Sequence, residues 1–218
     1  MERPSGVYSS GTLFRKATMP LLRTLACIIL ATGGTALLAG EDDGFTPLFN
    51  GTDLSGWKVP AENLWWSAAE GGVLLGKQDE KLKGHTLETE KHYSDVVVET
   101  DVRWSGDVDS GIFLRKAGKV QCQIGVSRSL KKDMTCSIYV PQGGYVIKAD
   151  VAKILKVGEW VKIKFEAKGD HYKIWLNGES VVDAALPGYT EPGPIGLQIH
   201  PGVKDMKVEF RNMKVKAL

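Results

Sequence analysis

Histidine and cysteine are scarce in this chain, at four and three in 218 residues, and the scarcity narrows the chemistry open to it. His85, His92, His171 and His200 stand far apart with no HxH or HExxH spacing, so no metal centre is expected. Loop aspartates Asp107 and Asp109 are of the kind that can coordinate a structural calcium, although the sequence does not require one. Past the first forty residues only Cys122 and Cys136 remain. An oxidising compartment permits a bridge between them, and two buried free thiols fit the sequence equally well. Also missing are internal repeats, low-complexity linkers and, beyond residue 40, any sustained helix-period pattern. No apolar run is long enough to span a bilayer comfortably.

What is present begins with an address. Arg15, Lys16 and Arg23 precede an apolar stretch from Leu25 to Ala39, and small residues Ala39 and Gly40 follow, the pattern of a cleaved signal peptide. Residues 1–39 are read as that peptide, with Met19 an alternative start, and residues 40–218 as one mature domain. A retained anchor or a lipoprotein signal at Cys27 fits less well, because Cys27 stands near the beginning of the apolar stretch instead of after it. The expected destination is the periplasm or the medium, with no stable membrane span after cleavage. Removing residues 1–39 takes away four of the 28 basic and one of the 26 acidic residues, leaving 24 against 25. That near-neutral balance gives no electrostatic reason to expect nucleic acid as a partner.

The mature part reads as all-β. Short alternating segments recur between Gly, Asp, Asn and Pro: 96–104, 111–115, 120–126, 135–140, 160–167, 172–176, 195–200 and 207–216, with weaker candidates at 65–67 and 73–76. Lys168-Gly169-Asp170 and Asn177-Gly178 supply hairpin turns. Many short, evenly spaced strands predict a sandwich of antiparallel sheets, and residues 143–156 a loop or short helix over it.

Successive strand side chains point to opposite faces, so the alternation separates core from surface. Val96, Val98, Thr100, Val102 and Trp104 fall on one face, Glu99, Asp101 and Arg103 on the other. The same split sets Ile112 and Leu114 against Arg115, Cys122 and Ile124 against Gln121 and Gln123, and Leu197 and Ile199 against Gln198 and His200. If these strands share one sheet, Asp101, Arg103, Arg115, Gln121, Gln123, Gln198 and His200 gather on one polar surface. Guanidinium, carboxamide and carboxylate groups each span two neighbouring hydroxyls, which makes a sugar the natural ligand. Trp57, Trp65, Trp66 and Tyr139 are the aromatic platforms that would complement it. A merely solvated sheet face is the alternative, although it would be richer in Lys, Glu, Thr and Ser.

The segment 45–57, FTPLFNGTDLSGW, together with DSGIFLR at 109–115, GEW at 158–160, LNG at 176–178, GLQIH at 196–200 and FRN at 210–212, resembles the bacterial 3-keto-disaccharide hydrolase family, also described as 3-keto-glycoside 1,2-lyase and 3-keto-2-hydroxy-glucal hydratase domains. The resemblance implies a concanavalin-A-like jelly-roll sandwich of two antiparallel sheets. It implies a hexose substrate oxidised at C3, cleaved by C2 proton abstraction, elimination of the C1 substituent and hydration. On that reading Arg115 stabilises the enolate with Arg103 as auxiliary, His200 or Asp101 is the base, and Gln121, Gln123 and Gln198 orient hydroxyls, with Tyr139, Trp57 and Trp66 at the sugar. One departure stands out: where the family carries YE-x-QI-x-D, this chain has Val120-Gln121-Cys122-Gln123-Ile124-Gly125-Val126, with Gln121 and Val126 at the acidic positions. A carboxamide is no general base, so the alternative is a lectin-like module that binds a glycan without cleaving it. A conventional glycosidase is disfavoured, since no strand carries a paired carboxylate motif.

Overall fold

Alternation is the principle by which these residues build sheets, and the fifth strand shows it most plainly. Val96, Val98, Thr100, Val102 and Trp104 are all buried, while Glu99, Asp101 and Arg103 between them are partly exposed. The chain's structure is a computed structural model that describes residues 43–104, 106–115, 120–140 and 144–218, and the backbone alone of Tyr145. The signal-peptide reading, Met19 and Cys27 therefore lie outside the described residues.

The strands in chain order are β1 (Thr46–Pro47), β2 (Trp66–Ala69), β3 (Val73–Lys77), β4 (His85–Tyr93), β5 (Val96–Trp104), β6 (Asp109–Leu114), β7 (Val120–Ser127) and β8 (Lys132–Asp133). They continue with β9 (Ile138–Val140), β10 (Tyr145–Ile147), β11 (Val161–Lys168), β12 (His171–Leu176), β13 (Glu179–Ala185), β14 (Gly193–Ile199) and β15 (Lys207–Ala217). Among the described residues there is no helix. Every pairing is antiparallel. An eight-stranded sheet runs β13-β12-β11-β5-β15-β3-β2 with β1 on β15, and a seven-stranded sheet runs β10-β9-β7-β6-β14-β4 with β8 on β7.

The apolar halves of both sheets meet in one core. Val98, Val102, Ile163, Phe165, Ile174 and Phe210 come from the larger sheet, and Leu87, Ile112, Leu114, Ile124, Leu197 and Ile199 from the smaller. Each such side chain contributes about 1.5–3 kcal/mol on burial, so this seam is the main source of stability. Cys122 and Cys136 sit in it as free buried thiols.

The expected all-β sandwich is what forms, with five strands more than the alternation suggested: the short β1, β8 and β10, and the longer β4 and β13. The sequence of β4, HTLETEKHY, and that of β13, ESVVDAA, are both polar, and both strands are at sheet edges, where half the side chains meet water. Segment 143–156 forms β10 and a turn at 152–154 within its described residues.

Candidate functional site on the seven-stranded sheet

The outer face of the smaller sheet carries its polarity by register. Gly111 lies opposite Gln123 and Phe113 opposite Gln121 across β6 and β7; Gln121 in turn faces Tyr139 on β9, and Phe113 faces Gly196 on β14. Asp109, Gly111, Phe113, Gln121, Gln123, Tyr139 and Gln198 therefore share a face, opposite to Ile112, Cys122, Ile124 and Leu197.

Two hydrogen-bonded groups occupy that face. Gln121 Nε2 donates to Gln198 Oε1 at 2.9 Å and to the Ser110 carbonyl at 3.1 Å, which uses both its protons. It lies flat because Gly111 is beneath it: a β-carbon there would sit 2.3 Å from Gln121 Nε2 and 2.6 Å from its Cγ. Gln123 Nε2 donates to Asp109 Oδ1 at 2.8 Å, and the Arg128 backbone N–H to Asp109 Oδ2 at 2.7 Å. His200, just past the end of β14, has Nε2 3.8 Å from Asp109 Oδ2. Its Nδ1 lies 2.7 Å from the Pro201 carbonyl. A carbonyl only accepts, so Nδ1 carries a proton and Nε2 is the ring nitrogen on the side of Asp109. Gln121, Gln123 and Asp109 are buried, whereas Gln198, His200 and Tyr139 are half-exposed. A ligand would meet the second group while the first holds it in place.

The convergence of all seven polar side chains on one surface is not what the fold makes. Asp101 and Arg103 do face outward as the alternation required, but from the other sheet, because β5 pairs with β11 and β15. There Asp101 accepts from Asn212 Nδ2 at 2.8 Å and lies 3.4 Å from both Lys162 Nζ and Arg211 Nε. Arg103 donates to Glu209 at 2.9 Å and covers the Trp160 ring at 4.6 Å. Both belong to an ion-pair ladder across the layer from the glutamines, and neither can act as base or auxiliary at their face.

Arg115 is corrected for a different reason. The chain leaves β6 at this residue with a positive φ of 59°, which turns the side chain out of the strand's alternation. The guanidinium has no solvent exposure and pairs with Asp95 at 2.5 Å. It also donates to the carbonyls of Ser94 at 2.5 Å, Gly169 at 2.6 Å and Ala167 at 3.1 Å, and contacts that of Tyr189 at 3.4 Å. With its donors spent on the turns at one end of the sandwich, it is a structural tie and has nothing left to offer an enolate.

Trp57 and Trp66 are also core residues and not sugar platforms, each 3 % exposed. Trp57 bridges to Thr89 at the edge of β4, and the Trp66 indole N–H donates to His85 Nδ1 at 3.2 Å. Of the three candidate platforms Trp57, Trp65 and Trp66, the partly exposed one is Trp65, stacked on His85 with centroids 4.8 Å apart. Asp109 is the functional candidate that the sequence reading missed as such. Carrying the alternation of the DSGIFLR strand two residues further back would have put it beside Gly111 and Phe113. Among the described residues no three His, Cys, Asp or Glu side chains form a metal-binding group. Asp107 instead pairs with Arg128 at 2.9 Å.

Comparison with known proteins supplies the family. The profile of a family described as the 3-keto-alpha-glucoside-1,2-lyase-like domain matches residues 44–216. No curated protein sequence matches the chain. Among solved structures, a candidate glycosyl hydrolase from Parabacteroides distasonis is similar, with TM-score 0.60, 20 % identity, and coverage of 80 % of this chain and 94 % of that one. The β-glucanase of Bacillus licheniformis is similar with TM-score 0.55 at 14 % identity, over 80 % of this chain and 97 % of that one. The carbohydrate-binding module CBM66 from Bacillus subtilis gives 0.50 at 18 % identity, over 80 % and 96 %. At such identities the likeness is one of fold: a concanavalin-A-like jelly roll of two antiparallel sheets.

Proposed function

Because this chain belongs to the 3-keto-alpha-glucoside-1,2-lyase-like family, a carbohydrate-active one, we propose that it cleaves glycosides already oxidised at C3 on the polar face of its seven-stranded sheet. The ketone acidifies the C2 proton. His200 Nε2 removes it, and the electron pair becomes an enolate across C2 and C3. Collapse of the enolate expels the C1 oxygen, which leaves as the protonated aglycone, and water adds across the resulting double bond. The net change is hydrolysis, with no oxidant consumed.

The assigned roles follow from what each group has free. Asp109 lies 3.8 Å from His200 Nε2 and steadies the imidazolium once the proton has arrived. Gln123 and the Arg128 amide hold that carboxylate in place. Gln198, anchored by Gln121, presents its amide to sugar hydroxyls, and Tyr139 stands beside Gln121 on the neighbouring strand. Arg128, whose backbone N–H holds Asp109 at 2.7 Å and whose side chain donates to Asp107 at 2.9 Å, takes the enolate role that Arg115 cannot fill. The observation that carries the reading is the pairing of His200 with a buried carboxylate beside a carboxamide row on one sheet face.

The test compares 3-keto-glucosides with their unoxidised parents by following aglycone release. Release from the keto sugars alone is expected, with His200→Gln lowering kcat by roughly 10²- to 10⁴-fold. Binding of keto sugars without any release would overturn the catalytic reading, and full activity in His200→Gln would remove that residue from its role.

A further inference from the structure

A second concavity lies beside the glutamine face, between segment 60–65 ahead of β2 and segment 77–85 that joins β3 to β4. It encloses about 640 Å³, within the range of small-molecule sites. Its aromatic wall is the stacked pair Trp65 and His85, and Pro60 and the exposed Leu64 add apolar surface.

The wall is held rigidly from below. Asp79 is buried and accepts from the Trp65 indole N–H at 2.8 Å and from the amides of Lys81 at 3.0 Å, Lys83 at 2.8 Å and Gly84 at 3.1 Å. His85 has a fixed tautomer. An indole N–H only donates, so His85 Nδ1, at 3.2 Å from Trp66 Nε1, is the accepting nitrogen and Nε2 carries the proton. The ring is neutral and offers one donor.

Charge decides the class of ligand. Lys77, Lys81 and Lys83 line the pocket against Glu62, Asp79 and Glu80, a formal balance of zero. An anionic ligand gains nothing from such a lining, whereas a neutral polyhydroxylated ring finds both donors and acceptors above an apolar wall. The pocket also adjoins the glutamine face, because Gln78 Nε2 donates to the His200 carbonyl at 2.7 Å and the Gly202 N–H to the Leu82 carbonyl at 2.9 Å.

We propose that this pocket is a second carbohydrate site, which seats a neutral pyranose ring of a glycan against Trp65 and His85. It is separate from the reacting site and does not depend on the cleavage chemistry. Binding of cellotriose, maltotriose and trigalacturonate to the whole protein, followed by tryptophan fluorescence and calorimetry, tests it. A neutral trisaccharide is expected to bind saturably and trigalacturonate not to. Trp65→Ala should weaken binding about tenfold, as loss of an aromatic platform does. Leu64→Asp, at a side chain exposed enough to leave folding alone, should weaken it as well. Failure of both neutral sugars to bind, preference for trigalacturonate, or undiminished binding by both variants overturns the proposal. Turnover of a methyl 3-keto-glucoside by the same variants reads the His200 site separately, so either site can fail without the other.

Discussion

The largest fully buried side chain among the described residues is an arginine. Arg115 holds four carbonyl groups and Asp95 together from the chain turns around Ser94, Gly169 and Tyr189, and its ring neighbour Tyr172 lies 5.5 Å from the guanidinium carbon. Arg115→Ala removes the guanidinium from these acceptors where water enters poorly; the Tyr189 carbonyl keeps the Tyr172 hydroxyl as a donor, and Asp95 keeps the Gly169 N–H. Removing one partner of a buried pair costs about 3–5 kcal/mol, and the partial exposure of Asp95 sets the expected loss near the lower end. Urea unfolding measures it. Loss of aglycone release in that variant should track the unfolded fraction only; inactivity in a fully folded Arg115→Ala protein would return the residue to the chemistry.

At the level of strands, the two sheet faces make opposite predictions. The ladder on β5, β11 and β15 joins Arg103 to Glu209 and Asp101 to Lys162 and Arg211 at partly exposed positions, where such pairs contribute about 0–1 kcal/mol each. The double variant Asp101→Asn with Arg103→Met should therefore lower stability by less than about 2 kcal/mol and leave turnover of a 3-keto-glucoside unchanged. A tenfold fall in kcat would move the site to the larger sheet. This contrast also marks how far the sequence could be read. Alternation correctly turned Asp101, Arg103, Gln121, Gln123 and Gln198 away from the core, since the pleat fixes that within each strand. It carries no information on which sheet a strand joins, because partners such as β5 and β15 lie a hundred residues apart. Arg115 was misread because a positive φ breaks the pleat at the strand's last step, and β4 was missed because an edge strand need not be apolar. Trp57 and Trp66 went to the core because a large ring is buried unless something holds it at the surface, as Asp79 holds Trp65.

Across the whole molecule the perturbed groups set a window of pH in which the sandwich is most stable. On the acid side, burial lowers the His85 pKa from 6.5, with Glu88 opposing. For Asp79 burial opposes, but the Trp65 indole and the amides of Gly84, Lys83 and Lys81 outweigh it and hold the pKa below 3.8. The Arg103 hydrogen bond does the same for Glu209 relative to 4.5. Each of these groups binds protons more weakly when folded, so its contribution is complete above its unfolded value and is lost as pH falls through the folded one. On the basic side, Cys122 is raised well above 9.0 by its hydrogen bond with Cys136 and then by burial, and burial raises Tyr93 and Tyr172 above 10.0. The Asp183 hydrogen bond likewise raises Lys173 above 10.5. These groups keep their protons longer when folded, so their contribution is complete below the unfolded values and is lost as pH rises beyond them. Unfolding free energy measured in urea should therefore be flat between about pH 7 and 8.5 and decline on both sides. The first decline, between about pH 7 and 5, belongs to His85, and His85→Gln should flatten that limb while leaving the steeper fall below pH 4 in place. A wild-type limb between pH 7 and 5 as steep in the variant would mean that another group titrates there and that the neutral His85 ring is not what the Trp66 indole holds.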